Sequence, residues 1–480
     1  MESKYLSYEQ FGAVGDGVHD DIEAIVACHD EANRLNVPVK AKDGATYYIG
    51  GKKMTAVIKT DVDFGKAKFI IDDIVLEDRE SYVFSIESDY SFEPVEIESL
   101  AVDQRKLNLD KKGNYFVRVF DDNHRVFRRK GVHANNGSAA EDIFIVDSEG
   151  NILTTIDFDY PKVTRSEMKC IDDAPITVSG GIFTTIANQM ESYYYYHFRG
   201  FNVTRAHVTI CGFEHYVEGE LDHGAPYHGF IRSNYAADLT IKDAIVTGRR
   251  MYQNCRRTTR DGLGSYDLSF WSSIDVRCIN VKQSNDITDH KYWGVYTSNF
   301  CKNLMLDSCV LSRFDAHMGV TNFTIRNSKL GHSGIMLTGF GEGIIENTEV
   351  YTHSFIILRP DYGSTWNGTL SIKDCVWCPD RRDNSMVYAV NTEDHDFGYY
   401  CCQPKVMTID GMHVKNADVA DMKLYLLRKF TDRPISEEKA SPYGRVNEFY
   451  ISRLTTDNGA ELELSECPEL YPETKVIYKD

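Results

Sequence analysis

Basic residues are the scarce class in this 480-residue sequence. It carries 53 Lys and Arg against 72 Asp and Glu, a formal charge of −19. Nucleic acids and anionic membranes reward net positive surface, so this balance argues against both as partners. Long apolar runs are missing as well. No stretch of about 18 apolar residues occurs, so no segment is suited to span a membrane as a helix. The opening, MESKYLSYEQFGAVGDG, has no basic region followed by an apolar one. No secretory leader is visible, and a cytoplasmic location is expected. Proline is sparse, with 12 residues beside 29 Tyr and 24 Phe. Twelve cysteines over this length are ordinary usage rather than a disulfide framework. Cys375 and Cys378 form one CxxC with no second pair nearby, which leaves zinc short of ligands. No EF-hand loop and no HExxH occurs, so no metal or other cofactor is expected.

What is present suits a large folded core: 42% hydrophobic and 26% charged residues. The first fifty residues have a clear order. Phe11-Gly12-Ala13-Val14-Gly15-Asp16-Gly17 is a glycine-punctuated turn. Asp20-Asp21 is placed to cap a helix whose face carries Ile22, Ile25, Val26 and Leu35. Two short strands, 37–39 and 44–49, follow. Together they are expected to close the open edge of a stack of coils.

A repeat of small or apolar residues at offsets 0, 2, 5 and 7 then runs along the chain. Copies begin at Ile176, Leu239, Ile274, Leu304, Phe323, Leu370, Met407 and Phe449, with weaker ones at Val208 and Gly343. Alternation sends offsets 0 and 2 inward together, and a two-residue corner shifts the phase so that 5 and 7 point inward again. Corner residues are polar: Lys242-Asp243, Asp307-Ser308, Arg326-Asn327, Lys373-Asp374. The shortest steps, Leu304 to Phe323 and Phe323 to Gly343, fit one coil of a parallel β-helix. Cys309 and Cys375, at offset 5, are expected to fill the core. Longer steps between 208 and 304 put inserts at 216–227, 248–264 and 282–291, where stacked loops can wall a groove. Residues 70–170 lack the repeat and read as a β elaboration. The expected organisation is residues 1–69 as cap and first coils, 70–170 as elaboration and 171–480 as the main coils of one elongated domain.

FGAVGDGVHDD, the amphipathic helix and GATYYI resemble the N-terminal signature of pectate-lyase-like and polygalacturonase-like right-handed β-helix proteins. The resemblance implies an all-β, right-handed parallel β-helix of about ten coils and a bias toward carbohydrate. It does not extend to the polygalacturonase catalytic residues, because NTD and GHG are absent and no paired DD falls at the right coil.

The site must therefore be read from alternation. Tyr266, Leu268 and Phe270 alternate with Asp267 and Ser269. Trp293 and Val295 alternate with Gly294 and Tyr296, and Phe314, Ala316 and Met318 with Asp315 and His317. Apolar residues inward would put Asp267, Gly294 and Asp315 in one outer column and Ser269, Tyr296 and His317 in the next. Two coils separate Asp267 from Asp315 by roughly 10 Å at the backbone, compatible with the ~6.5–9.5 Å between carboxyls of inverting glycosidases. Asp267, Asp315, His317 and Asp289 are the catalytic candidates. Tyr296, His290, Trp293, Arg313, His332, Arg359, Arg257 and His228 are the substrate-binding candidates. Arg249, Arg250, Arg256, Arg257 and Arg260 form a local basic loop in an acidic chain, suited to an anionic sugar or to a neighbouring subunit.

The leading expectation is a glycoside hydrolase using an Asp pair on an oligo- or polysaccharide. The alternatives are a uronate lyase with His317 or Tyr296 as base, a fructan-type transglycosidase and a non-catalytic tailspike-like glycan-binding protein. A homotrimer is the expected assembly if the Arg loop serves subunit contact.

Overall fold

Parallel pairing between segments one coil apart organises most of the chain. The computed structural model describes residues 5–74, 76–109, 113–131, 136–256, 262–380, 383–391, 394–416, 423–428 and 434–479. They fall into two compact units, Met1–Ser91 with Lys169–Thr297 and Phe92–Met168 with Ser298–Asp480.

In the first unit, Val62 pairs with Val178, Val178 with Ile210, Ile210 with Ile241 and Ile241 with Cys278, all parallel. The glycine-rich opening has a physical reason. Gly12, Gly15 and Gly17 all adopt left-handed φ, at 96°, 65° and 79°, where a side chain is strained. Asp21 does not cap the helix with its side chain. Its buried carboxylate accepts instead from Val14 N (2.7 Å) and Gly15 N (3.1 Å), tying the turn to the helix start. The helix Ile22–Leu35 buries Ile22, Ile25, Cys28, His29 and Ala32. Leu35 is exposed, because the chain leaves the helix at Asn36 with φ 52°. Inside the coils, aromatic rings continue from one turn to the next. Phe69 stacks on Phe183 at 4.8 Å, and Phe84 on Phe201 at 4.8 Å. One copy of the repeat is shifted from its expected frame. Leu239 pairs with Val276 rather than Ile274, so the inward set is Val276, Cys278, Val281 and Gln283. The corner is then Ile279-Asn280, and Asn280 Nδ2 donates to Asp243 Oδ1 of the preceding corner (2.8 Å).

In the second unit, Leu304, Phe323, Gly343, Leu370, Met407, Phe449 and Val476 follow one another in register. This is a parallel β-helix of all-β class. Val476 adds a rung beyond the repeats read from the sequence. Gly343 holds its place for a steric reason. A Cβ there would lie 2.5 Å from both Phe323 and Leu370. Cys309 and Cys375 are buried fillers, as their offset predicts. Every corner turns at offset 4 through a left-handed residue: Ser308, Asn327, Asn347, Asp374, Gly411 and Arg453. Asn and Asp tolerate that conformation better than other side chains. Here they also bond along the stack, Asn347 Nδ2 to Asn327 Oδ1 (2.9 Å) and Asn327 Nδ2 to Asp307 Oδ1 (3.0 Å).

The β elaboration is an antiparallel sheet in which Tyr115–Val126 pairs with Ser138–Val146. A buried charge anchors it to a coil of the same unit. Lys302 Nζ donates to Asp142 and lies 3.2 Å from Asp157, whose Oδ2 also accepts from the Thr321 hydroxyl (2.8 Å).

Candidate functional site

Four of the expected site residues meet in the second unit. Arg313 and Arg359 both bond to Asp315, Arg359 at 3.1 and 3.2 Å, and all three side chains are buried. Arg359 also donates to Asp361 Oδ2 (2.9 Å), which lies 2.7 Å from Arg129. Three guanidiniums therefore share two carboxylates. Burial pushes the Asp361 carboxyl up, but Arg359 and Arg129 more than reverse this and hold it well below the usual carboxylate range. His317 donates from Nδ1 to Asn299 Oδ1 (2.7 Å), which leaves the lone pair on Nε2. Burial and then Arg359 push this imidazole down to about 3, so it is neutral. Its ring stands edge-on to Tyr362 at 5.3 Å.

Asp315 is not on a solvated outer face as alternation implies. Its side chain is 0% exposed. Asp315 is as buried as its neighbours Phe314 and Ala316, while His317 is half-buried. Arg129 and Asn299 belong to this cluster and escape sequence reading, because they lie outside the third-strand pattern that located Asp315. Asp361 follows two residues after Arg359 in the chain.

The first unit holds a second polar cluster, around Asp267. This residue also departs from the outer-face expectation, with 0% side-chain exposure. Its Oδ2 accepts from His215 Nδ1 (2.6 Å) and from Thr247 N (2.7 Å). His215 pairs in register with Phe183 and stacks on Phe230 at 3.7 Å, so the carboxylate reaches a histidine of the aromatic core. His215 Nε2 accepts from the Thr185 hydroxyl (2.9 Å). Arg249 Nε lies 3.5 Å from Asp267 Oδ1, and its guanidinium covers the Tyr227 ring at 3.7 Å. Neither Nε nor Nη1 of Arg249 makes a hydrogen bond among the described residues. Burial raises the Asp267 carboxyl, but His215, Arg249 and Thr247 N–H outweigh it, and the net shift is downward.

Glu220 stands at the edge of this cluster. It is half-buried, and its Oε1 accepts from Arg250 N (2.9 Å). Burial raises its carboxyl above the usual range despite opposition from Arg249 and the Arg250 N–H. Sequence reading flagged the 216–227 insert but did not single out Glu220, a lone Glu between Gly219 and Leu221. The Arg250–Tyr292 bridge brings the loop carrying Asp289 alongside. Asp289 is exposed and caps its own turn through Lys291 N (2.9 Å).

The remaining candidates are dispersed. Tyr296 is buried against Phe270 at 5.3 Å, so it is a core residue. Leu268 N bonds to Val295 O, which sets Leu268 rather than Ser269 beside Tyr296. Trp293 lies against the Gly262 and Gly264 backbones. Trp366 is fully buried. His228 bonds Ser269 Oγ at 3.1 Å, and burial and then Arg232 push it down to about 3. His290 is exposed, and His332 bonds its neighbour Ser333. Arg257 lies outside the described residues. No group of three or more His, Cys, Asp or Glu is arranged to hold a metal ion among the described residues.

No protein-family model matches the chain, and no curated protein does. Solved structures do. A tailspike of Pseudomonas phage phi297 matches over 95% of this chain and 81% of its own, at 12% identity and TM-score 0.58. One from Pseudomonas phage LKA1 matches over 98% and 84%, at 13% identity and TM-score 0.56. A third, from Acinetobacter baumannii bacteriophage AP22, was solved with capsular saccharide and matches over 98% and 79%, at 10% identity and TM-score 0.53. The fold is a tailspike-like parallel β-helix. At this identity the likeness is one of fold.

Proposed function

We propose that the protein binds a polysaccharide and cleaves a glycosidic bond in it, with Glu220 as general acid. The observation that carries this reading is Glu220, a half-buried carboxyl raised by burial at the edge of a cluster whose sealed carboxyl, Asp267, is lowered. Both feel the same Arg249. Glycosidic cleavage needs one carboxyl that keeps its proton near neutrality and another that stays ionised. Asp267 is sealed from solvent, so it acts as a positioning residue for Arg249 and His215. Asp289, on the adjoining exposed loop, is the water-activating carboxylate. The reading thus replaces the Asp267–Asp315 pair with Glu220 and Asp289. Arg249 is as deeply buried as Asp267 and holds that carboxylate's charge inside the cluster rather than meeting substrate. The capsular saccharide bound by the AP22 tailspike supports a saccharide partner. Reducing-end release from a panel of capsular polysaccharides tests the reading. Unchanged turnover in Glu220→Gln would sink it.

A lyase reading rests on His317. Its Nε2 lone pair lies in a cluster of three arginines, the parts that proton abstraction beside a sugar carboxylate requires. An unsaturated, ultraviolet-absorbing product that disappears in His317→Gln would favour it over hydrolysis. The homotrimer belongs to the same proposal, and light scattering of the purified chain decides it.

A further inference from the structure

Lys302 belongs to a buried triad that neither proposed mechanism uses. It opens the strand Lys302–Asp307 of a coil, and Asp142 lies in the strand Ser138–Val146 of the elaboration, 160 positions away. The Lys302 side chain is 2% exposed and that of Asp142 0%. The three protons of the ammonium have three acceptors: Asp142 Oδ1, the Thr155 carbonyl and Asp157 Oδ2, the last at 3.2 Å. Asp142 Oδ2 accepts from Asp157 N (2.7 Å), and Asp157 Oδ2 accepts from the Thr321 hydroxyl (2.8 Å). Each carboxylate is thus fixed by a donor besides the lysine.

The surroundings are aromatic. Phe127, Phe158, Phe300 and Phe340 line a small space of about 10 Å³ beside the three groups, room for about one water. A buried ion pair in such a place recovers little of its desolvation cost. Joining the two groups as an amide removes both charges at once. Burial raises the Asp142 carboxyl to about 7, with Lys302 opposing and Asp157 reinforcing the shift. Burial lowers the Lys302 ammonium, but Asp142 and then Asp157 more than reverse this. The neutral amine therefore arises by passing a proton inside the pair, from Lys302 to Asp142, and not by loss to water.

We propose that Lys302 and Asp142 join through an amide bond that forms once the chain has folded, with Asp157 carrying the proton. The neutral Nζ attacks Asp142 Cγ, one bond beyond the oxygen it already touches. The N–H of Asp157 donates to Oδ2, where negative charge develops. Asp157 takes a proton from the nitrogen and delivers it to the Oδ1 hydroxyl, the bond from Cγ to Oδ1 breaks, and one water leaves. An ammonium and a carboxylate thus become one amide and one water, and no co-reactant is consumed. Fixed alignment takes the place of an activated acyl group. The newly folded chain carries the free pair, whose Asp142 titrates, and the joined chain has no carboxyl there. The bond would staple the elaboration to the coils, and it stands apart from the hydrolase reading.

Intact mass spectrometry of the denatured full chain tests this. After incubation of the folded protein at neutral pH, the mass should lie one water below that of the sequence. Digestion should then yield a branched peptide joining the segments that carry Asp142 and Lys302. Lys302→Met should stay at full sequence mass. Asp157→Asn, close in shape and checked as folded by its melting temperature, should slow joining roughly 100-fold. Wild type that remains at full sequence mass overturns the proposal, because the triad is then an ion pair only. A water loss that persists in Lys302→Met overturns it as well, since it then comes from an aspartate cyclising elsewhere. Joining at the wild-type rate in Asp157→Asn overturns the proton-carrying step. Loss of glycan turnover in Glu220→Gln bears on the hydrolase alone.

Discussion

His215 and Asp267 share a 2.6 Å hydrogen bond in which neither side chain touches solvent. The pair replaces what an aromatic would do at the same rung, as Phe183 does one coil earlier. Removing one partner strands the other in the core. Asp267→Ala should cost roughly 3–5 kcal/mol, read from urea unfolding. Asp267→Asn, which keeps an acceptor, should cost clearly less. The carboxyl is depressed in the fold. Its contribution is therefore present above the unfolded value of ~3.9 and lost as pH falls through the folded one.

The buried histidines predict a second pH dependence. Burial pushes His29 and His228 to about 3 and His197 to about 4. The unfolded chain takes up protons below about 6.5, and these folded sites refuse them. Stability should therefore fall as pH drops from ~6.5 toward ~4, seen as a lower urea midpoint at pH 5 than at pH 7. His29→Gln, outside both clusters, should flatten that slope.

Asp142 should work in the opposite direction. Burial raises it to about 7, with Lys302 opposing and Asp157 reinforcing the shift. A raised carboxyl stabilises most below its unfolded value of ~3.9 and loses that contribution as pH rises through about 7. Wild type should therefore lose stability relative to Asp142→Asn between these pH values, in paired denaturation curves.

Corner substitutions should separate conformation from packing. Asn327 sits at φ 53°. Asn327→Gly should be nearly neutral, losing only the Asp307 and Asn347 bonds, while Asn327→Val should cost about 1–2 kcal/mol for a branched side chain held left-handed. Thermal melts of the two variants check this.

If Glu220 is the acid, Glu220→Gln should lower kcat by roughly 10²–10⁴-fold and abolish the alkaline limb of the pH–rate profile while leaving melting unchanged. Asp289→Asn should lower kcat by a comparable factor with melting unchanged.

Most of the coil framework was legible in the sequence because it depends on a local rule. Offsets 0, 2, 5 and 7 are small or apolar and the corner between them is mostly polar, which is how Leu304, Phe323 and Leu370 found their register. The copy at Ile274 misled because Ile274 and Ile279 are both apolar, and nothing local shows that Val276 is the paired residue. The site was less legible. Alternation assigns a residue to a face, but whether that face meets water depends on covering segments distant in sequence. Arg359 and Arg313 enclose Asp315, and His215 draws Asp267 into the core. Arg313, Asp315 and His317 were nonetheless found together because they share one strand, and Arg359 stands two coils further along the same stack. Arg129 could not be found this way, since it comes from a segment almost two hundred residues earlier.

In the Asp307–Asn327–Asn347 ladder each corner bonds to the corner before it. Length is then a free variable of this architecture. A coil can be duplicated or excised as a cassette between two such rungs without resetting the others, and loops of any size can hang between them. A lineage of such chains can thus exchange the surface that meets its ligand while keeping its frame unchanged.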